Sequence, residues 1–196
     1  GDKVAQSIRN IGIAVTEFDV DDLQLERISE FPTLVVGIRA FNVHKELTFK
    51  NKVLWEYVNR GGTIIVQYNT SRGLDSCIIA PYPINLSRDR VTDEASRVKL
   101  LIPGHPILNT PNKISSIDFE GWVQERGLYF ANNWDSHYSA LLSMSDYGES
   151  PKTGSLLVAN YGKGKFIFTG LSFFRELPAG VPGAFRLFAN LISYGQ

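Results

Sequence analysis

The chain has 196 residues and is 43% hydrophobic, which is enough for a well-buried domain and unlike a disordered sequence. Lys+Arg and Asp+Glu both number 20, so a formal net charge of zero gives no general attraction for nucleic acid or an anionic membrane. The single cysteine, Cys77, excludes an intramolecular disulfide, and no apolar run approaches the roughly 18 residues of a membrane span.

Taken in chain order, "NIGIAVTEFD" (10–19) alternates Ile11, Ile13 and Val15, as a strand or a helix-to-strand transition would. "DVDDLQLERISEF" predicts a short helix with acidic residues at its start. Pro32 ends it, and Thr33 to Val36 form the β-branched run of a buried parallel strand. "KNKVLWEYVNRGG" places Val53, Leu54, Tyr57 and Val58 at helical spacing, with Gly61 positioned to cap. "TIIVQ" (63–67) is a second buried strand. The strand, helix, strand order implies a right-handed crossover and a largely parallel sheet.

From Cys77 to about Asn112 the chain is rich in Pro and turn residues and predicts an irregular excursion. "GSLLVANYG" and "GKFIFTGLSF" then predict a hairpin across "GKG". "GAFRLFANLIS" predicts a closing helix with Phe185, Leu187, Phe188, Leu191 and Ile192 on one face.

Ligands of parallel sheets bind beyond the carboxyl ends of the strands. Here those ends are "GIRAFN" and "QYNTSR", which makes Arg39, Gln67, Tyr68 and Asn69 ligand-binding candidates. The string "DFEGWVQERGLYF" surrounds Trp122 with Glu120, Glu125 and Arg126. Aromatics beside carboxylates and a guanidinium suit a carbohydrate, whereas a lobe-fixing ion-pair network among core aromatics uses the same residues. Arg175 and Glu176 in "SFFRELPAGVPG" either rim the crevice or connect strand to helix. His105, in "IPGHPIL", is a candidate base or a structural turn residue, and His137 belongs to a surface loop beside Trp134. The histidines lack metal-ligand spacing, and "YGKGK" is too short for a phosphate loop, so no metal or cofactor is expected.

The run "LWEYVNRGGTIIV", then "GHPIL", then "YGKGKFIFTGLSF" and a terminal helix, resembles the class I glutamine amidotransferase-like fold. More narrowly, "WVQERGLYF" and "TGLSFFRELPAGV" resemble the C-terminal domain of some bacterial PIG-L-type (LmbE-like) sugar deacetylases, a likeness covering most of residues 50 to 193. The resemblance implies a three-layer, flavodoxin-like α/β fold with a mostly parallel sheet. It forms one domain over residues 1–196, with an irregular inserted lobe at about 77–140, in a fragment of a longer protein. It also implies a deacetylase domain in the same polypeptide as partner and a periplasmic or extracytoplasmic setting.

An amidotransferase of that fold needs an elbow cysteine, and counting from Gly61 and Gly62 the elbow falls at or beside Tyr68. A phenol stays protonated near neutral pH and is a poor nucleophile. Cys77 lies nine residues further on, in a segment without an elbow signature, and reads as a small packed hydrophobe. The deacetylase metal motif is missing as well. A non-catalytic accessory domain that binds a ligand, a carbohydrate being the favoured class, or docks to the catalytic domain is therefore the leading expectation. An atypical hydrolase or amidotransferase using Tyr68, His105 and Glu120 is the alternative, and a structural dimerisation domain is the third.

Overall fold

The computed structural model describes residues 2–75 and 78–196, so the reading of Cys77 as a packed hydrophobe lies outside the described residues. The first half contains helices α1 (Val4–Asn10), α2 (Leu25–Ile28), α3 (Ala40–Val43) and α4 (Leu47–Asn59) around strands β1 (Thr33–Val36) and β2 (Thr63–Gln67). Short strands follow: β3 (Ile84–Leu86), β4 (Arg90–Val91), β5 (Lys99–Leu100), β6 (Gly127–Leu128), β7 (Ala131–Trp134), β8 (Ser139–Ala140) and β9 (Leu142–Ser143). The chain closes with β10 (Leu156–Tyr161), β11 (Gly164–Thr169), α5 (Phe173–Glu176) and α6 (Pro182–Ser193).

The central sheet has the order β1-β2-β11-β10-β8. β1 and β11 both run parallel to β2, while β10 is antiparallel to β11 and to β8. Four of its five strands therefore share one direction, and the hairpin expected across "GKG" supplies the reversed strand. The short strands pair as β3 with β7, β4 with β6 and β5 with β9, all antiparallel.

Alternation along the strands sends side chains to two cores. Ile65 and Ile167 join Val4, Ile8, Leu187, Phe188 and Leu191 on the face covered by α1 and α6. Ile64, Val66, Phe166 and Phe168 join Leu54, Trp55, Tyr57 and Val58 on the face covered by α4. Helices on both faces of the sheet give the three-layer α/β architecture. The α4 and α6 faces read from periodicity are the core-facing ones, with Val53, Phe185 and Ile192 only partly buried. The segment between the halves builds no core of its own: Val91, Phe119 and Trp122 enter one cluster, and Ile79, Ile84 and Tyr138 enter the other.

Two elements differ from expectation. The acidic helix is split into a 3-10 turn (Val20–Asp22) and α2. Residues 13–19 form no strand. Val15 packs on the α6-side core and Val20 on the α4-side core, so the chain between them passes around the β1 side of the sheet. Contact with both faces leaves that segment unable to join the ladder, despite its alternating sequence.

Candidate functional site

The carboxyl ends of β1, β2 and β11 converge on Tyr68. Its ring lies parallel to that of Tyr129, with centroids 5.8 Å apart, and meets Phe174 at 5.2 Å. Burial raises the Tyr68 phenol, against the attraction of the Arg39 and Arg175 charges, while Glu125 and Tyr129 push it further up. The ring is thus neutral, and the two guanidinium charges act on it at the strand ends. Arg175 Nε donates to Glu125 Oε1 at 2.8 Å and stacks over Phe174. Arg39 is exposed, and its guanidinium has no ion pair among the described residues.

The strand ends are bounded by unusual backbone. Arg39 (φ 55°), Gln124 (φ 71°) and Tyr129 (φ 54°) are left-handed without being glycine, a conformation that clusters at binding and catalytic sites. Gly37, Ile38 and the left-handed Arg39 join β1 to α3, a strand–strained turn–helix order like that of a nucleophile elbow. Among the described residues β2 leads into no helix, and Tyr68 is not among the left-handed residues. The elbow-like turn therefore follows β1, not β2 as counted from the glycine pair, and its apex residue is an arginine, which carries no nucleophile.

The remaining candidates divide by place. Gln67 is buried at the end of β2; its Nε2 donates to Asp2 Oδ2 at 3.3 Å, and its Oε1 has no partner among the described residues. Asp2 Oδ2 also accepts from the Ile38 amide at 3.1 Å, so α1 is pinned over these strand ends. Asn69 is fully buried: Oδ1 accepts from the Phe41 amide at 3.1 Å and Nδ2 donates to the Gln67 carbonyl at 3.0 Å. Its amide is committed to joining the two strand-end loops.

Trp122 is 3% exposed, donates its indole N–H to the Asp118 carbonyl at 2.9 Å and packs on Phe119 and Phe173. Arg126 is 4% exposed; it donates twice to the Ser96 carbonyl, at 3.0 and 2.8 Å, and to the Phe119 carbonyl. Burial lowers its pKa, opposed by the charge of Glu176 above all. Glu176, itself fully buried, accepts from the Val123 amide at 2.9 Å and the Ser172 hydroxyl at 3.1 Å. Of "GWVQER", Glu125 is the residue whose side chain pairs with Arg175 and acts on Tyr68.

The set Tyr68, His105 and Glu120 is not brought together. His105 Nδ1 accepts from the Ile107 amide at 3.2 Å, starting a 3-10 turn, and its ring lies 5.3 Å from Tyr194. Tyr194 accepts from Thr63 at the opposite end of β2. A strand rise of about 3.3 Å per residue puts roughly 16 Å between that end and Tyr68. Burial and the Lys165 charge both lower the His105 pKa. Glu120 is exposed, in a groove with Lys113, Pro182 and Arg186. Tyr129 belongs to the aromatic string "DFEGWVQERGLYF", whereas Phe174 and Asp2 carry no signal in the sequence. Phe174 and Arg175 follow β11, whose direction parallel to β2 was the missing information. Among the described residues, no group of three or more His, Cys, Asp or Glu could hold a metal ion, and no helix is long and apolar enough to cross a membrane.

No family model and no curated protein sequence matches the chain. Its fold matches that of Cytoplasmic Protein STM3548 from Salmonella typhimurium (TM-score 0.63, 13% identity), over 97% of this chain and 85% of that one. Cytoplasmic Protein STM1381 from Salmonella typhimurium LT2 gives a TM-score of 0.62 at 12% identity, over 98% and 86%. The mmIFT52 N-terminal domain gives 0.58 at 13%, over 96% and 88%. The likeness is one of fold, and it is the class I glutamine amidotransferase-like fold. None of these three links the chain to PIG-L-type deacetylases.

Proposed function

We propose that the chain is a non-catalytic amidotransferase-like binding domain whose strand-end cleft holds an anionic ligand, an acidic saccharide being the class that matches it best. The observation that carries this reading is Arg39: an exposed, unpaired guanidinium on a strained turn, beside the Tyr68–Tyr129–Phe174 stack. Aromatic edges meet the C–H face of a sugar ring, while Arg39 takes its carboxylate in a bidentate fork. Arg175 already has Glu125 and contributes positive potential. Catalysis is disfavoured because the elbow apex is an arginine and His105 is a strand's length away from Tyr68.

Calorimetric titration with oligogalacturonides is the test. Saturable binding that Arg39→Ala weakens about tenfold or more supports the reading. Absence of binding, or binding indifferent to Arg39→Ala, defeats it. Turnover of glutamine or of activated esters by the wild-type chain would restore the enzyme alternative.

A further inference from the structure

A second constellation lies along β7. The Ala131 amide donates to the Gly154 carbonyl at 3.2 Å, pressing the loop before β10 against β7. A Cβ at Gly154 would sit 1.9 Å from the Ala131 oxygen, so glycine is needed for the contact. On the far side of that pinch, residues 149–153 and β7 enclose an open groove of about 460 Å³. Its lining includes Asp89, Asn132, Trp134, Glu149 and Lys152.

These side chains are equipped for a ligand and lack one within the fold. Asn132 and Trp134 are two apart on β7 and both line the groove. The Asp89 carboxylate, the Asn132 amide and the Trp134 indole N–H have no hydrogen-bond partner among the described residues. Trp55 and Trp122 are buried, so Trp134 is the half-exposed member of the three tryptophans. Lys152 Nζ is committed to Glu149, which leaves the Asp89 charge unbalanced and the groove unfavourable to anions.

We propose that this groove is a binding site for a neutral saccharide. The Trp134 face would cover the C–H side of one sugar ring, and Asp89 and Asn132 would bind adjacent hydroxyls, the carboxylate accepting and the amide doing both. The net negative lining separates it from the arginine-flanked cleft, which suits an acid. The two sites share no lining residue, so each can fail without the other.

The test is titration of the intact chain with neutral oligosaccharides (cellotriose, maltotriose, galactobiose and chitotriose), followed by tryptophan emission and calorimetry. At least one is expected to give a saturable change in emission. Asp89→Asn and Asn132→Ala, both at sites not fully buried, should each weaken that binding about tenfold. No saturable change with any of the four, or binding unaltered by both substitutions, overturns the proposal.

Discussion

The β1-β2-β11 core and the segment between β2 and β10 are held together in different ways. In the core, five consecutive buried residues of β2 lie between two parallel neighbours, and the apolar Ile64, Ile65 and Val66 are paired and buried in succession. In the middle segment, strands are two to four residues long, and a few polar side chains replace the ladder. Arg126 gathers the Ser96 and Phe119 carbonyls. Asp146 accepts from the Thr92 and Asp93 amides at 2.9 Å. Asn190, on α6, donates to the Ile107 and Asn112 carbonyls, both at 2.7 Å. A stabilisation spread over many equivalent contacts tolerates small losses, whereas one concentrated in a few buried polar groups does not.

That contrast ranks the substitutions. Arg126→Met should be the most damaging, costing about 2–4 kcal/mol, because it strands the buried Ser96 and Phe119 carbonyls and removes the charge that most opposes the raised Glu176 carboxyl. Urea unfolding measures it, and a loss below about 1 kcal/mol would erase the distinction between the regions. Asp146→Ala should cost about 1–2 kcal/mol, comparable to a helix cap, as three donors lose their acceptor. Ile65→Val, in the middle of the ladder, should cost about 0.5–1.5 kcal/mol. A larger loss there than at Arg126 would invert the ranking.

The mildest test concerns pH. Burial raises the Glu176 carboxyl above its ordinary 4.5, against the Val123 amide, the Ser172 hydroxyl and the Arg126 charge. The folded state then holds the proton more tightly than the unfolded one, so this contribution is complete below about pH 4.5 and is lost as pH rises through the raised value. Glu176→Gln should flatten that part of the stability profile. An unchanged slope would mean that the carboxylate is as well solvated in its pocket as in water.

The same contrast explains what the sequence made legible. β1, β2, α4, the β10–β11 hairpin and α6 each announce themselves through local apolar periodicity and flanking glycine or proline. The contacts of Arg126 with Ser96, 30 residues away, and of Asp146 with Thr92, 54 away, leave no periodic trace. For Trp122 and Arg126 a saccharide platform and a lobe-fixing network both stayed open, because a buried indole and an exposed one are spelled alike. Tyr68 was placed at the elbow by counting from Gly61 and Gly62, but the turn that meets a helix belongs to the preceding strand. In the cleft, Arg39, Tyr68 and Glu125 were legible from strand ends and charge, whereas their neighbours Tyr129 and Phe174 come from elements whose docking no local pattern encodes.

The segment joining Val15 to Val20 limits how the molecule can associate. β1 ends the sheet on that side, and a bare terminal strand invites another chain to continue the ladder. Here a non-strand segment crosses beside it, and the opposite margin, β8, is only two residues long. Such a molecule is guarded against growing into fibres by strand addition, and its recognition is left to side chains rather than to backbone pairing.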